Sequence, residues 1–346
     1  MTIFVLPNKR IETFLLPTLF ENMIMSHPLI SICLITYNQE QYIRRAIESI
    51  LAQTEHWNYE IVISDDGSHD KTLAICNEYQ QQYPDLIRVI TSTSHRGVLS
   101  NWYQAIEASK GTYIALLEGD DYWIDPQKLS KQYAILQQNN AIGFVYSDFF
   151  YLDEKNEKLI RGMKQYKPSN DLFEETLFNQ AMVSSTMMFR RSLFDPVLFQ
   201  QFIAHRFLTP DLPLFLHFCL VSQGYFLSDI TTTYTWRAGS VSPPTTQQEE
   251  LQFRESIHRI RLFFILKRGK NKKLLLAKNE FIWQKEQLLI AWKYNRYQNA
   301  KQLAHAFPFI ATWHKDKKLA LLAVLSRHQT SFQLFRPYVT RNRSIK

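Results

Sequence analysis

The strongest constraint on the fold is an alternation of apolar runs and amphipathic segments between residues 29 and 150. The apolar runs are rich in β-branched residues and bounded by polar turns, which predicts buried strands, and the segments between them have helical spacing. Strands separated by helices join as right-handed βαβ units. We therefore expect an α/β fold, Rossmann-like, with a mostly parallel sheet and helices on both faces. The predicted strands are 29–35, 59–64, 86–91, 113–117 and 142–150.

Acidic residues follow two of these strands. The strand at 113–117 runs directly into the turn 118–121 (EGDD), and the strand at 59–64 runs into the pair 65–66 (DD). Ligands of such sheets bind outside the carboxyl ends of the strands, where both acidic groups would meet. Carboxylates repel one another, but Mg²⁺ or Mn²⁺ would hold them and keep positions open for a substrate's phosphates. The alternative is an acidic surface turn, and both interpretations stay open at this point.

Charge divides the chain into two parts. Residues 251–346 contain 21 Lys and Arg against 4 Asp and Glu, a net +17, whereas the whole chain carries +8, which leaves −9 for the first 250 residues. A Pro-Pro pair and a polar run precede the basic part and indicate a linker. We predict a leader or extension at 1–27, an α/β domain at 28–245 and a basic helical region at 246–346.

Several classes of protein are excluded or disfavoured. The chain has neither a dinucleotide-binding Gly-x-Gly-x-x-Gly, nor a P-loop, nor a Gly-x-Ser-x-Gly elbow. Its three cysteines are odd in number and widely spaced, which argues against a disulfide framework or a zinc site and suits the cytoplasm. No run of apolar residues is long enough for a membrane span.

Three blocks, at 30–53, 59–72 and 111–123, resemble in this order the inverting family 2 glycosyltransferases of GT-A fold, of the type that assembles bacterial surface glycans. The resemblance extends over about 29–242 and makes 28–245 a glycosyltransferase domain. It implies a metal, Mn²⁺ or Mg²⁺, on Asp120 and Asp121, and a catalytic general base at Asp211. The donor-binding residues that it implies are Thr36, Tyr37, Glu40, Asp66, Asp120 and Arg237.

This sequence departs from the family pattern at three positions. Ile35 stands where Pro is usual, and Glu118 replaces the first Asp of the metal motif. Arg237 replaces a His, although a cation there would keep a role towards the pyrophosphate. Two assignments have structural alternatives, because Asp211 could simply cap a helix and Asp66 could be a turn residue.

The implied reaction transfers a sugar, UDP-linked in the first instance, to a saccharide or lipid-linked saccharide acceptor in polysaccharide or lipopolysaccharide assembly. Two alternatives remain: a sugar-nucleotide nucleotidyltransferase, whose glycine-rich signature is absent, and a non-catalytic membrane-associated scaffold. The basic region lacks a nucleic-acid motif and could attract the anionic inner face of the cytoplasmic membrane, or be a helical cap. The aromatic residues predicted to add apolar contact there are Phe263, Phe264, Trp283 and Trp292.

Overall fold

The chain forms two compact units in a computed structural model, each described here by itself. The first contains the residues up to Ile203 and Val221–Trp236; the second contains Ala204–Leu220 and the chain after Trp236. The segment 204–220 lies inside the predicted 28–245 domain but groups with the second unit, and the predicted domain boundaries stay a prediction. The predicted leader 1–27 and Arg237 lie outside the described residues. The structure describes residues 28–54, 58–179, 182–236, 246–307, 312 and 316–340.

The described part of the first unit is built on a nine-stranded sheet. The strands are β1 (Ile30–Thr36), β2 (Tyr59–Asp65), β3 (Ile87–Thr91), β4 (Tyr113–Glu118), β5 (Tyr122–Trp123), β6 (Ile142–Asp153), β7 (Lys158–Arg161), β8 (Met188–Arg190) and β9 (Gln223–Trp236). Their order in the sheet is β3-β2-β1-β4-β8-β6-β9-β5, and β7 pairs with β6. Every residue of β1 is buried, as expected for a strand covered by helices on both faces.

The first four strands in this order are parallel, as predicted. Thr36 is level with Asp65 and Ile35 with Glu118, so the carboxyl ends of β1, β2 and β4 form one edge. The other half of the sheet is mixed, because β8 runs antiparallel to both β4 and β6. A short 3₁₀ turn, Ser184–Thr186, leads into β8. The α/β fold class is therefore confirmed, with a mixed sheet.

Helices pack against the sheet through periodic apolar faces. In the helix α1 (Ile43–Leu51), the buried residues Ile43, Ala46, Ile47 and Ile50 follow the spacing of one helix face. They join a core cluster with the inward residues of β1, β2 and β4. The helices of this unit are α1 (Ile43–Leu51), α2 (Thr72–Gln82), α3 (Val98–Ala108), α4 (Lys128–Gln138), α5 (Leu172–Asn179) and α6 (Pro196–Ala204).

The second unit is helical, as predicted for the C-terminal region. Its core includes Trp292, whose ring lies 4.4 Å from that of Phe332 and whose Nε1 donates to Ser326 Oγ at 2.8 Å. None of the described helices of either unit is long and apolar enough to cross a membrane. The helices of the second unit are α7 (Asp211–Val221), α8 (Gln247–Arg268), α9 (Lys272–Lys293), α10 (Tyr297–Leu303), α11 (Lys317–Leu325) and α12 (Gln329–Thr340).

Candidate functional site

The turn after β1 is held by the neighbouring loop after β2. Thr36 is buried and donates through Oγ1 to Gln39 Oε1 at 2.8 Å, while its carbonyl accepts from Asp66 N at 3.0 Å. Glu40 is exposed, and its Oε2 accepts from Lys71 N at 2.9 Å. Two of the predicted donor-binding residues, Thr36 and Glu40, thus fix the shape of this edge. Their contact with a donor stays a prediction.

The two aspartates that end β2 have different roles. Asp65 is fully buried and accepts from Gly67 N at 3.1 Å, from Ser68 N at 3.0 Å and from Thr91 Oγ1 at 3.0 Å. These bonds close the turn and join it to the end of β3. Asp65 is therefore a structural residue, and the following carboxylate is the one that faces the next loop.

Asp66 organises the loop between β3 and α3. The residue is 2% exposed, and its carboxylate accepts from Arg96 N at 3.0 Å and from Gly97 N at 2.8 Å. His95 Nδ1 lies 2.8 Å from Asp66 Oδ2. Gly97 has a φ of 91°, which suits glycine and lets both amides point at the carboxylate. Asp66 is thus a buried acceptor inside a cradle of donors.

An aromatic stack adjoins this carboxylate. The rings of Tyr37 and His95 are stacked, with centroids 4.0 Å apart and an interplanar angle of 23°. His95 belongs to none of the motifs that the sequence offered. The available signal was its position after β3, because the carboxyl end of that strand falls on the same edge. Flat rings beside a hydrogen-bond acceptor suit a planar heterocycle with a ring N–H.

The acidic turn 118–121 lies directly beside the turn after β1. Gly119 N donates to Ile35 O at 2.9 Å. A Cβ atom on Gly119 would lie 2.4 Å from Gln39 Oε1 and 2.9 Å from Thr36 Oγ1, so a side chain there would displace this turn. Close packing of two backbones therefore requires glycine at the centre of the acidic motif.

Asp121, predicted as a metal ligand together with Asp120, is enclosed by the protein, and its contact with a metal stays a prediction. Asp121 is 1% exposed; it accepts from Ser185 Oγ with one oxygen and from Thr235 N, at 2.8 Å, with the other. Burial and the adjacent Asp120 carboxylate raise the pKa of Asp121 well above its usual range. Both oxygens are thus used inside the protein, where they fix the end of β9 against the acidic turn.

Asp120 and Glu118 lie nearer to solvent. Both are half-buried, and Glu118 Oε1 accepts from Ser184 Oγ at 2.7 Å. Arg45, also missed by the sequence analysis, reaches the Asp120 carbonyl at 3.4 Å and places its guanidinium 4.0 Å from the centre of the Tyr122 ring. Among the described residues no group of three His, Cys, Asp or Glu side chains could hold a metal ion. A metal here would take most of its ligands from substrate and water, as Mg²⁺ commonly does.

Asp211 is the first residue of α7, in the second unit. It is half-buried, and burial raises the pKa of its carboxyl group to about 6. A carboxylate with such a pKa is a suitable general base near neutral pH. Its association with the edge that carries Asp66 and Asp120 stays a prediction, as does the role of Arg237.

Comparisons with known proteins identify a family profile and several relatives that match this chain. The sequence profile of Glycosyl transferase family 2 matches residues 31–198. An uncharacterized protein of Mycobacterium tuberculosis is 46% identical over 109 residues, and the match covers 32% of each chain, so this chain spans about a third of that relative's length. The Escherichia coli glucosyltransferase WfgD, which is named for transfer from UDP-Glc to α-D-GlcNAc-diphosphoundecaprenol, is 30% identical over 51% of this chain and 65% of its own.

Among solved structures, Staphylococcus aureus TarS 1–349 in complex with UDP-GlcNAc aligns over 90% of both chains with a TM-score of 0.57 and 18% identity. This similarity confirms the predicted GT-A fold and carries nothing further at that identity. The family profile and the curated relatives establish that residues 31–198 of this chain form a domain of glycosyl transferase family 2.

Proposed function

We propose that this chain transfers a sugar from a nucleotide donor, UDP-linked in the first instance, to a saccharide or lipid-linked saccharide acceptor, with inversion at the anomeric carbon. The observation that carries the proposal is the convergence of Tyr37, Asp66 and Asp120 on one edge of the sheet. The aromatic face of Tyr37 suits a nucleotide base, and the buried acceptor Asp66 suits the ring N–H of that base. The half-buried carboxylate of Asp120 suits the cation that a diphosphate carries.

The nucleotide base would be recognised by Tyr37 and Asp66. Aromatic stacking on a base contributes about 1–3 kcal/mol and tolerates any base. Selectivity requires a group that reads the edge of the base, and uracil offers a ring N–H to an acceptor. Asp66 is held in place by Arg96 N and Gly97 N, so its position is fixed before a donor binds.

The divalent cation would be held by Asp120 and by the diphosphate itself. Asp120 supplies the hard oxygen that Mg²⁺ or Mn²⁺ prefers. When bound, the cation neutralises charge on the leaving diphosphate. Asp121 is assigned to positioning, since its oxygens already accept from Ser185 and Thr235.

Asp211 is proposed as the general base. Above pH of about 6 its carboxylate is ionised and can accept the proton of the attacking hydroxyl. A single displacement by that hydroxyl, opposite the leaving nucleotide, gives inversion. The assignment rests on the family resemblance together with the raised pKa.

The named activity of WfgD supports a UDP donor and a lipid-linked acceptor for this chain. An acceptor of that kind belongs to the assembly of cell-surface polysaccharide or lipopolysaccharide. It also favours a cytoplasmic enzyme on the inner face of the membrane, since the lipid of such an acceptor stays in the bilayer.

A thermal-shift screen of nucleotide-sugars with and without Mn²⁺ tests the proposal. A ligand raises the free energy of unfolding by RT ln(1 + [L]/Kd), so the correct donor shifts the melting temperature most, and only with metal. Metal-dependent hydrolysis of that donor would distinguish an enzyme from a scaffold. Release of pyrophosphate from a nucleoside triphosphate and a sugar phosphate would instead identify a nucleotidyltransferase.

A further inference from the structure

The hairpin of α8 and α9 carries a concentration of positive charge. Between residues 256 and 279 the sequence has eight Lys or Arg residues and no Asp or Glu. The two helices are joined by a short turn that contains Gly269 at φ 74° and Asn271 at φ 55°. The exposed lysines of this segment are Lys267, Lys270, Lys272, Lys273 and Lys278. We call the segment 262–278 the hairpin tip.

Apolar side chains are exposed among these lysines. Leu262 is 36% exposed, Leu266 is 50% exposed and Leu274 is 66% exposed. Their neighbours Ile265 and Leu275 are fully buried. The tip therefore has an inner apolar face that holds the hairpin together and an outer face where leucines and lysines alternate.

The base of the hairpin is fixed by polar and ring contacts. Asn279 Nδ2 donates to His258 O at 3.2 Å, and the rings of His258 and Trp283 are stacked with centroids 5.4 Å apart. These contacts join α8 to α9, so the tip is presented on paired helices.

The aromatic residues predicted to contact a membrane are less exposed than the leucines. Phe264 and Trp292 are fully buried, whereas Trp283, in its stack with His258, and Phe263, under Lys267, are half-buried. The sequence could not distinguish them from the exposed leucines, because both kinds of residue follow the same helical spacing.

We propose that the hairpin tip is a docking surface for an anionic lipid membrane. Lysines attract the negative surface of such a membrane, and the exposed leucines enter the region between headgroups and acyl chains. Nucleic acid fits less well, since a phosphate backbone makes no use of exposed leucines and bases stack on aromatic rings. The biological purpose rests on the proposed function, because docking would bring the enzyme to a lipid-linked acceptor. The binding itself is measured without catalysis.

Sedimentation of the full-length protein with vesicles tests the proposal. Protein should sediment with vesicles that contain phosphatidylglycerol at low salt, remain free with pure phosphatidylcholine, and be released by high salt. The variant K270Q/K272Q/K273Q should bind about a hundredfold more weakly, at about fivefold per charge. L266S/L274S should lose about tenfold through reduced apolar contact.

The matched control is K301Q/K318Q/R327Q, which removes the same charge from exposed positions of α10, α11 and the residues after α11. It should bind vesicles nearly as the parent does. Equal weakening by the control, equal binding to neutral vesicles or no vesicle binding would overturn the proposal. An L266S/L274S variant that binds vesicles as tightly as the parent would also overturn it. A parent protein that binds duplex RNA more tightly than anionic vesicles would do the same.

Nucleotide binding by the same variants separates this proposal from the proposed function. The hairpin variants should bind UDP with Mn²⁺ as the parent does, which also shows that they are folded. Lost docking by the parent with intact UDP binding refutes the docking surface alone. Intact docking with no binding of any nucleotide refutes the proposed function alone.

Discussion

Adjacent carboxylates of the acidic turn differ in their surroundings, and so in what they can do. Asp120 is half-buried beside Arg45, whereas Asp121 is buried and accepts from Ser185 and from Thr235. An exposed oxygen can exchange a water for a metal, whereas each buried oxygen of Asp121 already accepts from a protein donor. We therefore propose metal binding for Asp120 and a supporting role for Asp121.

Substitution of each aspartate by asparagine should separate these roles. D120N should keep a free energy of unfolding close to that of the parent and lose the effect of Mn²⁺ on UDP binding. D121N should lose about 1–3 kcal/mol of stability, because an amide cannot accept from both buried donors. Urea unfolding and UDP titration with and without Mn²⁺ measure both effects. Full stability in D121N, with lost metal dependence, would restore Asp121 as the ligand.

Tyr37 should contribute to nucleotide affinity through its ring. Y37A should weaken UDP binding by about 1–3 kcal/mol, the usual value of one base stacked on an aromatic ring. Y83A is the matched control, since Tyr83 is 41% exposed at the end of α2, before β3 begins, and so lies away from the carboxyl edge. Calorimetry with UDP measures both variants, and equal losses would place the base elsewhere.

The raised pKa of Asp211 predicts an acidic limb in the pH dependence of turnover. A general base must be ionised, so kcat should fall as the pH decreases through about 6. D211N should lower kcat by about 10²–10⁴-fold, without that limb, and bind UDP with Mn²⁺ as the parent does. Weakened UDP binding with normal kcat at saturation would instead assign Asp211 to the donor.

At the scale of elements, helix α4 carries a buried cation beneath the site. Lys128 is fully buried, with its Nζ 2.7 Å from Gln132 Oε1 and 4.5 Å from the centre of the Trp123 ring. Burial lowers the pKa of Lys128 to about 7. Trp123 forms part of the short strand β5, which pairs with β9, so this lysine packs under the element that follows the acidic turn.

This pKa predicts a slope in stability with pH. Between pH 7 and 10 the unfolded chain keeps the Lys128 proton and the folded chain does not, so stability rises with pH, by up to about 1.4 kcal/mol per unit. K128M should lack that contribution. Urea unfolding near pH 7 and pH 9 compares the two proteins. The control is K131M on the same helix, where Lys131 pairs with Asp125 and Asp229. An unchanged slope in K128M would mean that Lys128 stays protonated.

Local patterns in the sequence predicted the strands and the acidic turns. They could not predict contacts between residues that are distant in the sequence. The run before Glu118 predicts a strand end because apolar residues stop there and glycine and acids follow. The contacts of Asp66 with His95 and of Asp121 with Ser185 join residues 29 and 64 positions apart. Such pairings have no periodicity, and a carboxylate at the surface looks the same in sequence as one that is buried.

At the scale of the whole molecule, the α/β prediction succeeded because parallel strands and helices impose two different periods on the chain. The direction of β8 was not predictable, since it depends on pairing with the distant strands β4 and β6 rather than on composition. The difference in charge between the two parts of the chain is counted directly from the sequence. The surface that this charge forms depends on which leucines α8 and α9 leave exposed.

A metal-assisted nucleotide-sugar site at the carboxyl edge of the parallel strands should bind UDP through the cation. Calorimetric titration of UDP into the parent and D120N, each with and without Mn²⁺, measures this dependence. We expect tight binding to the parent with Mn²⁺, much weaker binding without it, and weak, metal-independent binding to D120N. The same affinity for UDP in all four titrations, or no binding of UDP in any of them, would contradict it.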